Sequence, residues 1–131
     1  MQPYAVHSRP FERSVFTSAN GLTTASNVFV PMISLNPNAR PGQTLMIDFV
    51  TNLYLTTNNN EVTFQTLIDG VMVTQSVYGE QISNRPDTIT RVWQAVVAPG
   101  GTGLVEIEWL VNLAGNVESF VTALRVCVLN Q

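Results

Sequence analysis

Apolar and polar positions alternate with a period of two along most of the chain, and no stretch carries a convincing helical spacing. Val28-Phe29-Val30-Pro31-Met32-Ile33 reads as a strand, with Pro31 marking an edge or a bulge because proline has no N–H to donate. Asn36-Pro37-Asn38-Ala39-Arg40-Pro41-Gly42 reads as a turn. Over residues 43–56, Leu45, Ile47, Phe49, Leu53 and Leu55 share one face, while Asp48 and Asn52 share the other. Thr57-Asn58-Asn59-Asn60 turns the chain, and Val62, Phe64, Thr66 and Ile68 resume the alternation. Asp69-Gly70 predicts a tight hairpin, since a type I′ turn needs positive φ at both central positions. Val71, Val73 and Val77 belong to the return strand. A polar loop over 79–87 leads to a strand over 88–98, and Pro99-Gly100-Gly101-Thr102-Gly103 forms the next loop. Residues 104–111 set Val105, Ile107, Trp109 and Val111 against Glu106 and Glu108; a loop over 112–117 precedes the last strand, 118–129.

About eight strands with turns between them predict an all-β, antiparallel β-sandwich, a jelly roll over residues 27–131. An immunoglobulin-like topology is the runner-up, without its Cys–Trp–Cys framework. Residues 1–26 read as an extended N-terminal arm, interrupted by Pro3 and Pro10 and carrying Tyr4, Phe11 and Phe16 beside Arg9 and Arg13. A short strand over 13–17 fits within it.

Two strands are apolar on both faces. In the last, Phe120, Leu124, Val126 and Val128 face one side; Val121, Ala123, Cys127 and Leu129 face the other, with Arg125 alone to polarise it. Over 88–98, Trp93, Ala95 and Val97 oppose Val92, Val96 and Ala98. A second apolar face needs a cover or remains a large exposed patch. Composition says the same independently. Charged residues make up 11% of the 131 residues, against about 25% in an average domain. Lysine is absent and the net charge is −3, so nucleic acid is not the expected partner. No window is long and apolar enough for a membrane helix, and no membrane partner is expected. Self-association or docking onto a larger assembly is the reading these features favour. The first residues show no signal-peptide pattern, which predicts synthesis in a host cytoplasm.

Candidate chemistry is sparse. His7 stands alone in the arm, with nothing to build a triad around it. Cys127, the single cysteine, has no neighbouring base to lower its pKa and reads as a small buried hydrophobe. Gly100–Gly103 lacks the lysine and the following helix of a phosphate loop. Asn58-Asn59-Asn60-Glu61 and Asp87 lack the Asp-x-Asp spacing of a calcium site. Glu106 and Glu108 sit about 7 Å apart on one strand face at ~3.3 Å per residue, a spacing glycoside hydrolysis can use. No other polar group supports them, so solvent-facing carboxylates are the better reading. Trp109 is in phase with the core, Trp93 is core or interface, and Tyr54 and Tyr78 are the candidates for stacking on a glycan. No catalytic residue, metal or cofactor is expected.

The segments Phe64-Gln65-Thr66-Leu67-Ile68-Asp69-Gly70-Val71-Met72-Val73, Trp93-Gln94-Ala95-Val96-Val97-Ala98-Pro99-Gly100-Gly101 and Leu104-Val105-Glu106-Ile107-Glu108-Trp109 resemble trimeric jelly-roll modules of phage particles and bacterial appendages. Those modules are similar in architecture to tumour-necrosis-factor and C1q heads. The resemblance implies a homotrimer on the surface of a virion, and a capsid decoration or cement protein docked on other virion proteins. The alternative is a receptor- or glycan-binding tip of a tail fibre or appendage; a small enzyme is a distant third. Under the first reading Tyr4, Arg9, Phe11, Arg13 and Phe16 of the arm contact the partner, with Val121, Ala123, Arg125 and Cys127 of the body.

Overall fold

The computed structural model describes residues 11–129, and all of its regular structure is β. In chain order the strands are β1 (Phe11–Thr24), β2 (Val30–Leu35), β3 (Thr44–Leu55), β4 (Asn60–Ile68), β5 (Val71–Glu80), β6 (Asp87–Val96), β7 (Val105–Val111) and β8 (Val117–Leu129). They form two four-stranded antiparallel sheets with the orders β1-β8-β3-β6 and β2-β7-β4-β5. Only β4 and β5 are joined as a hairpin within one sheet; every other connection crosses the sandwich. Strand pairs 1/8, 2/7, 3/6 and 4/5 are thus nested like one long folded hairpin, which is the jelly roll expected from the pattern.

The alternation explains the layers. Leu45, Ile47, Phe49, Leu53 and Leu55 of β3 are buried and face Val62, Phe64 and Ile68 of β4, with Phe49 and Phe64 in edge contact at 5.3 Å. Val105, Ile107, Trp109 and Val111 of β7 close the core against Leu124, Val126 and Val128 of β8. Pro31 lies on edge strand β2 beside a register shift, as its missing N–H requires. Asp69 (φ 50°) and Gly70 (φ 83°) both take the left-handed conformation the hairpin needs.

Three expectations are corrected, and β5 adds a feature the pattern did not address. The arm does not extend to residue 26, because residues 11–24 are β1, paired with β8 along its length. The short strand expected over 13–17 is the middle of this longer one: Val15, Thr17 and Ala19 turn inward while Ser14, Phe16 and Ser18 turn outward. Tyr4, His7 and Arg9 lie outside the described residues, as does the side chain of Phe11.

Phe120 is not on the core face. In β8 the register with β3 shifts between Asn52 and Leu53, so one extra residue reverses the parity of what precedes it. Phe120 is turned out, while Ser119 and Thr122 are buried. Their hydroxyls close a ring with that of buried Thr51, with O···O distances of 2.6 to 3.0 Å. Each hydroxyl can donate once and accept once there, so the bulge buries three polar groups without orphaning any.

β5 is inside out. A register shift between Thr66 and Leu67 leaves Val71, Met72, Val73 and Val77 exposed and turns Thr74, Ser76 and Tyr78 toward the interior. Lastly, Arg13 has partners within its own chain: Glu12 at 2.6 Å, and the carbonyl oxygens of Pro37 and Asn38. It pins β1 to the turn before β3 and is not a free cation awaiting an acidic partner.

Candidate interaction face

The register assembles the outer face of the β1-β8-β3-β6 sheet row by row. Phe16, Arg125, Asp48 and Val92 form one row; Ser18, Ala123, Val50 and Thr90 form the next; Asn20, Val121, Asn52 and Thr88 follow. Phe16, Val121, Ala123 and Arg125, named from two distant parts of the sequence, therefore share one surface. Its apolar side chains are open: Phe16 is 63% exposed, Val92 59%, Val96 62% and Val121 50%. Tyr54 and Phe120 extend it at one end, their rings tilted 38° with centroids 5.4 Å apart. At ~4.8 Å between strands and ~3.3 Å per residue, four strands of this length cover roughly 700 Å². A standard interface takes about 800 Å² from each partner, so the face is of the right size.

Charge is nearly absent from it. Within these rows the charged residues are Asp48 and Arg125, and they cancel each other. The Arg125 guanidinium donates to one Asp48 oxygen through Nη2 at 2.9 Å and Nε at 3.2 Å. This hydrogen bond and the Asp48 charge raise the Arg125 pKa further. Removing the face from water therefore buries a pair already neutralised, not an isolated charge. Phe16, Val50 and Ala123 frame a shallow recess beside the pair.

Cys127 shares the outward parity, between Ser14 and Met46, but its side chain is buried beneath the surface. It supplies no contact, and the sequence reading of it as a contact residue is corrected. Met46 and Val50 join Val92 on the face; both were passed over because their strand reads by its core residues Leu45, Ile47 and Phe49, with the polar Asp48 and Asn52 marking the other side.

The two tyrosines are not brought together. Tyr54 is on this face and donates its hydroxyl to Glu118 at 2.9 Å; that bond, with burial and the carboxylate charge, raises its pKa. Tyr78 is half-buried on the other sheet, near the 81–86 loop between β5 and β6. Its hydroxyl is held between the carboxylates of Glu80 (3.0 Å) and Asp87 (3.2 Å), and burial followed by those carboxylates pushes its pKa well above the usual phenol value. Glu80 also accepts the Leu55 amide at 2.9 Å, so this cluster ties the ends of β3, β5 and β6 together. Glu108 accepts from Gln65 at 2.6 Å on the opposite outer face, and no acid–base pairing with Glu106 forms. No group of three or more His, Cys, Asp or Glu side chains suited to a metal occurs among the described residues.

Asp69 accounts for two of the sequence motifs at once. Its carboxylate accepts the backbone N–H groups of Thr102, Gly103 and Leu104 at 3.3, 3.0 and 3.1 Å, so the hairpin tip holds the glycine loop. Burial alone raises its pKa, but these three bonds outweigh it and hold the carboxyl below its ordinary value. A Cβ at Gly101 would run into that carboxylate.

No protein-family model matches the sequence, and no curated protein does. Solved structures do match the fold. A chain of the infectious bursal disease virus Gx strain superposes with a TM-score of 0.61 at 10% identity over 92% of this chain. A TNF from S. frugiperda, Eiger, gives 0.52 at 10% identity, covering 94% of this chain and 95% of its own. A chain from the disulfide-linked pili of Bacillus endospore appendages gives 0.50 at 13% identity, covering 89% of each. The chain spans about a third of the length of the bursal disease virus chain, 34%. The jelly-roll fold is common to viral, TNF-like and appendage proteins, and this chain has it.

Proposed function

We propose that this protein is a non-enzymatic structural module of a virion, a homotrimer that decorates or cements the capsid of a phage. The observation that carries the reading is the outer face of the β1-β8-β3-β6 sheet: open apolar side chains with one self-neutralised ion pair. Three copies packed through this face cover Phe16, Val92 and Val121. The likeness to a viral chain and to a TNF supports a self-associating module on the particle surface. Residues 1–10, with Tyr4 and Arg9, are the tether to the shell. The test is incorporation. Purified protein is added to particles lacking it, and bound copies are counted for the full chain and for a variant lacking residues 1–10. Saturable binding in multiples of three, lost in the truncation, supports the role. Binding unaffected by truncation removes the tether.

A second reading, a receptor- or glycan-binding tip, rests on the Tyr54–Phe120 ring pair, half-buried Tyr54 beside exposed Phe120. Glycan-array binding abolished by Tyr54→Ala supports it.

A further inference from the structure

Among the described residues, one buried side-chain nitrogen has no hydrogen-bond partner: Nε1 of Trp93. An indole N–H only donates, and a buried donor without an acceptor calls for an ion or water that completes it. Trp93 faces inward from β6, at the flank where the free edges of β6 and β5 lie across the sandwich from each other. With Arg91 it lines a small recess, with Thr74 and Ser76 of β5 opposite and the Phe49–Phe64 pair behind. The cavity measures about 30 Å³, room for one or two atoms of water size. No carboxylate lines it. Arg91 donates to the carbonyl of its neighbour Thr90 at 2.9 Å, and it makes no ion pair among the described residues.

We propose that this recess is a binding site for a single small anion of halide size. It is held by the Trp93 N–H, the Arg91 guanidinium and the Thr74 and Ser76 hydroxyls. Charge decides between an anion and water. Two of the four groups can only donate, and one of them, the partly exposed Arg91 guanidinium, adds a positive charge beside the recess that favours an anion over water. The inside-out register of β5 acquires a reason: it places two hydroxyls where valines would otherwise seal the flank. Bound there, the anion links the free edges of the two sheets.

The chain has two tryptophans, so a ¹⁵N spectrum shows two indole signals, and Trp93→Phe assigns them. Chloride is titrated against gluconate at constant ionic strength. The expected result is a saturable shift of the Trp93 signal with Trp109 unmoved, and loss of that shift in Arg91→Gln. The melting temperature should rise with chloride along the same curve in the native chain. A Trp93 signal indifferent to chloride overturns the proposal in favour of water, and one that shifts equally in Arg91→Gln overturns the site as proposed, because the guanidinium then holds nothing. Should Arg91→Gln fail to fold, a crystal of the native chain soaked in bromide decides: an anomalous peak in the recess supports the site, and its absence refutes it.

Discussion

Replacing Asp69 tests how the hairpin and the glycine loop depend on each other. Asp69→Ala removes the acceptor for three backbone N–H groups. The Thr102 amide is exposed and regains water, while those of Gly103 and Leu104 are partly buried and do not fully recover. Leaving two such donors unsatisfied costs about 1–1.5 kcal/mol each. Alanine also fits poorly at φ 50°, adding roughly 1 kcal/mol. The expected loss is about 3–4 kcal/mol, read by urea denaturation or as a fall in Tm of roughly 10–15 °C for a chain of this size. Asp69→Asn keeps one acceptor oxygen and tolerance of the left-handed backbone, so it should lose only about 1 kcal/mol. The pH dependence has a definite sign. A carboxyl held below its ordinary pKa when folded contributes fully above the unfolded value, and loses that contribution as pH falls through the folded one. The gap between the native chain and Asp69→Asn should be widest near neutrality and close below about pH 4. Equal stabilities for Asp69→Ala and Asp69→Asn, or a gap that widens in acid, would refute the reasoning.

Gly101→Ala should destabilise through the same contact, because its Cβ meets the Asp69 carboxylate; a double-mutant cycle with Asp69→Asn should show strong coupling. In the buried hydroxyl ring, Thr122→Val leaves one donor without an acceptor and should cost about 1–3 kcal/mol. Replacing Thr51, Ser119 and Thr122 together by Val, Ala and Val should cost less than that single change, as denaturant titration of both variants checks. Tyr78→Phe should loosen the 81–86 loop and its flanking strand ends, seen as faster hydrogen exchange of Leu55 and its neighbours, without changing assembly.

Most of the sandwich was legible because each core strand alternates without interruption, as in Leu45–Leu55 and Val105–Val111. What failed, failed at two places of known physical kind. β1 was read only as a short strand over 13–17, because it is an edge strand whose inward residues include the polar Thr17 and the small Ala19 between Val15 and Leu22, and Asn20-Gly21 reads as a turn. Phe120 was misplaced because a one-residue bulge reverses parity, and a bulge leaves no mark in hydrophobicity alone. The interaction face was half legible. Val121, Ala123 and Val92 announced themselves as second apolar faces, but Met46 and Val50 needed the register to join them. The Asp48–Arg125 cancellation spans 77 residues and is visible only when β3 and β8 are paired.

The central claim is that the outer face of the β1-β8-β3-β6 sheet is buried between copies of this chain. Light scattering coupled to gel filtration, on the native chain and on Val121→Asp, tests it most directly. Val121 is half exposed in the single chain, so the aspartate leaves the fold intact but places an unpaired charge in the contact, at a cost of several kcal/mol. The account predicts about 43 kDa for the native protein, three chains of 14.4 kDa, and a folded monomer for the variant. A native protein that runs as a monomer at micromolar concentration, or a variant that stays trimeric, would contradict it.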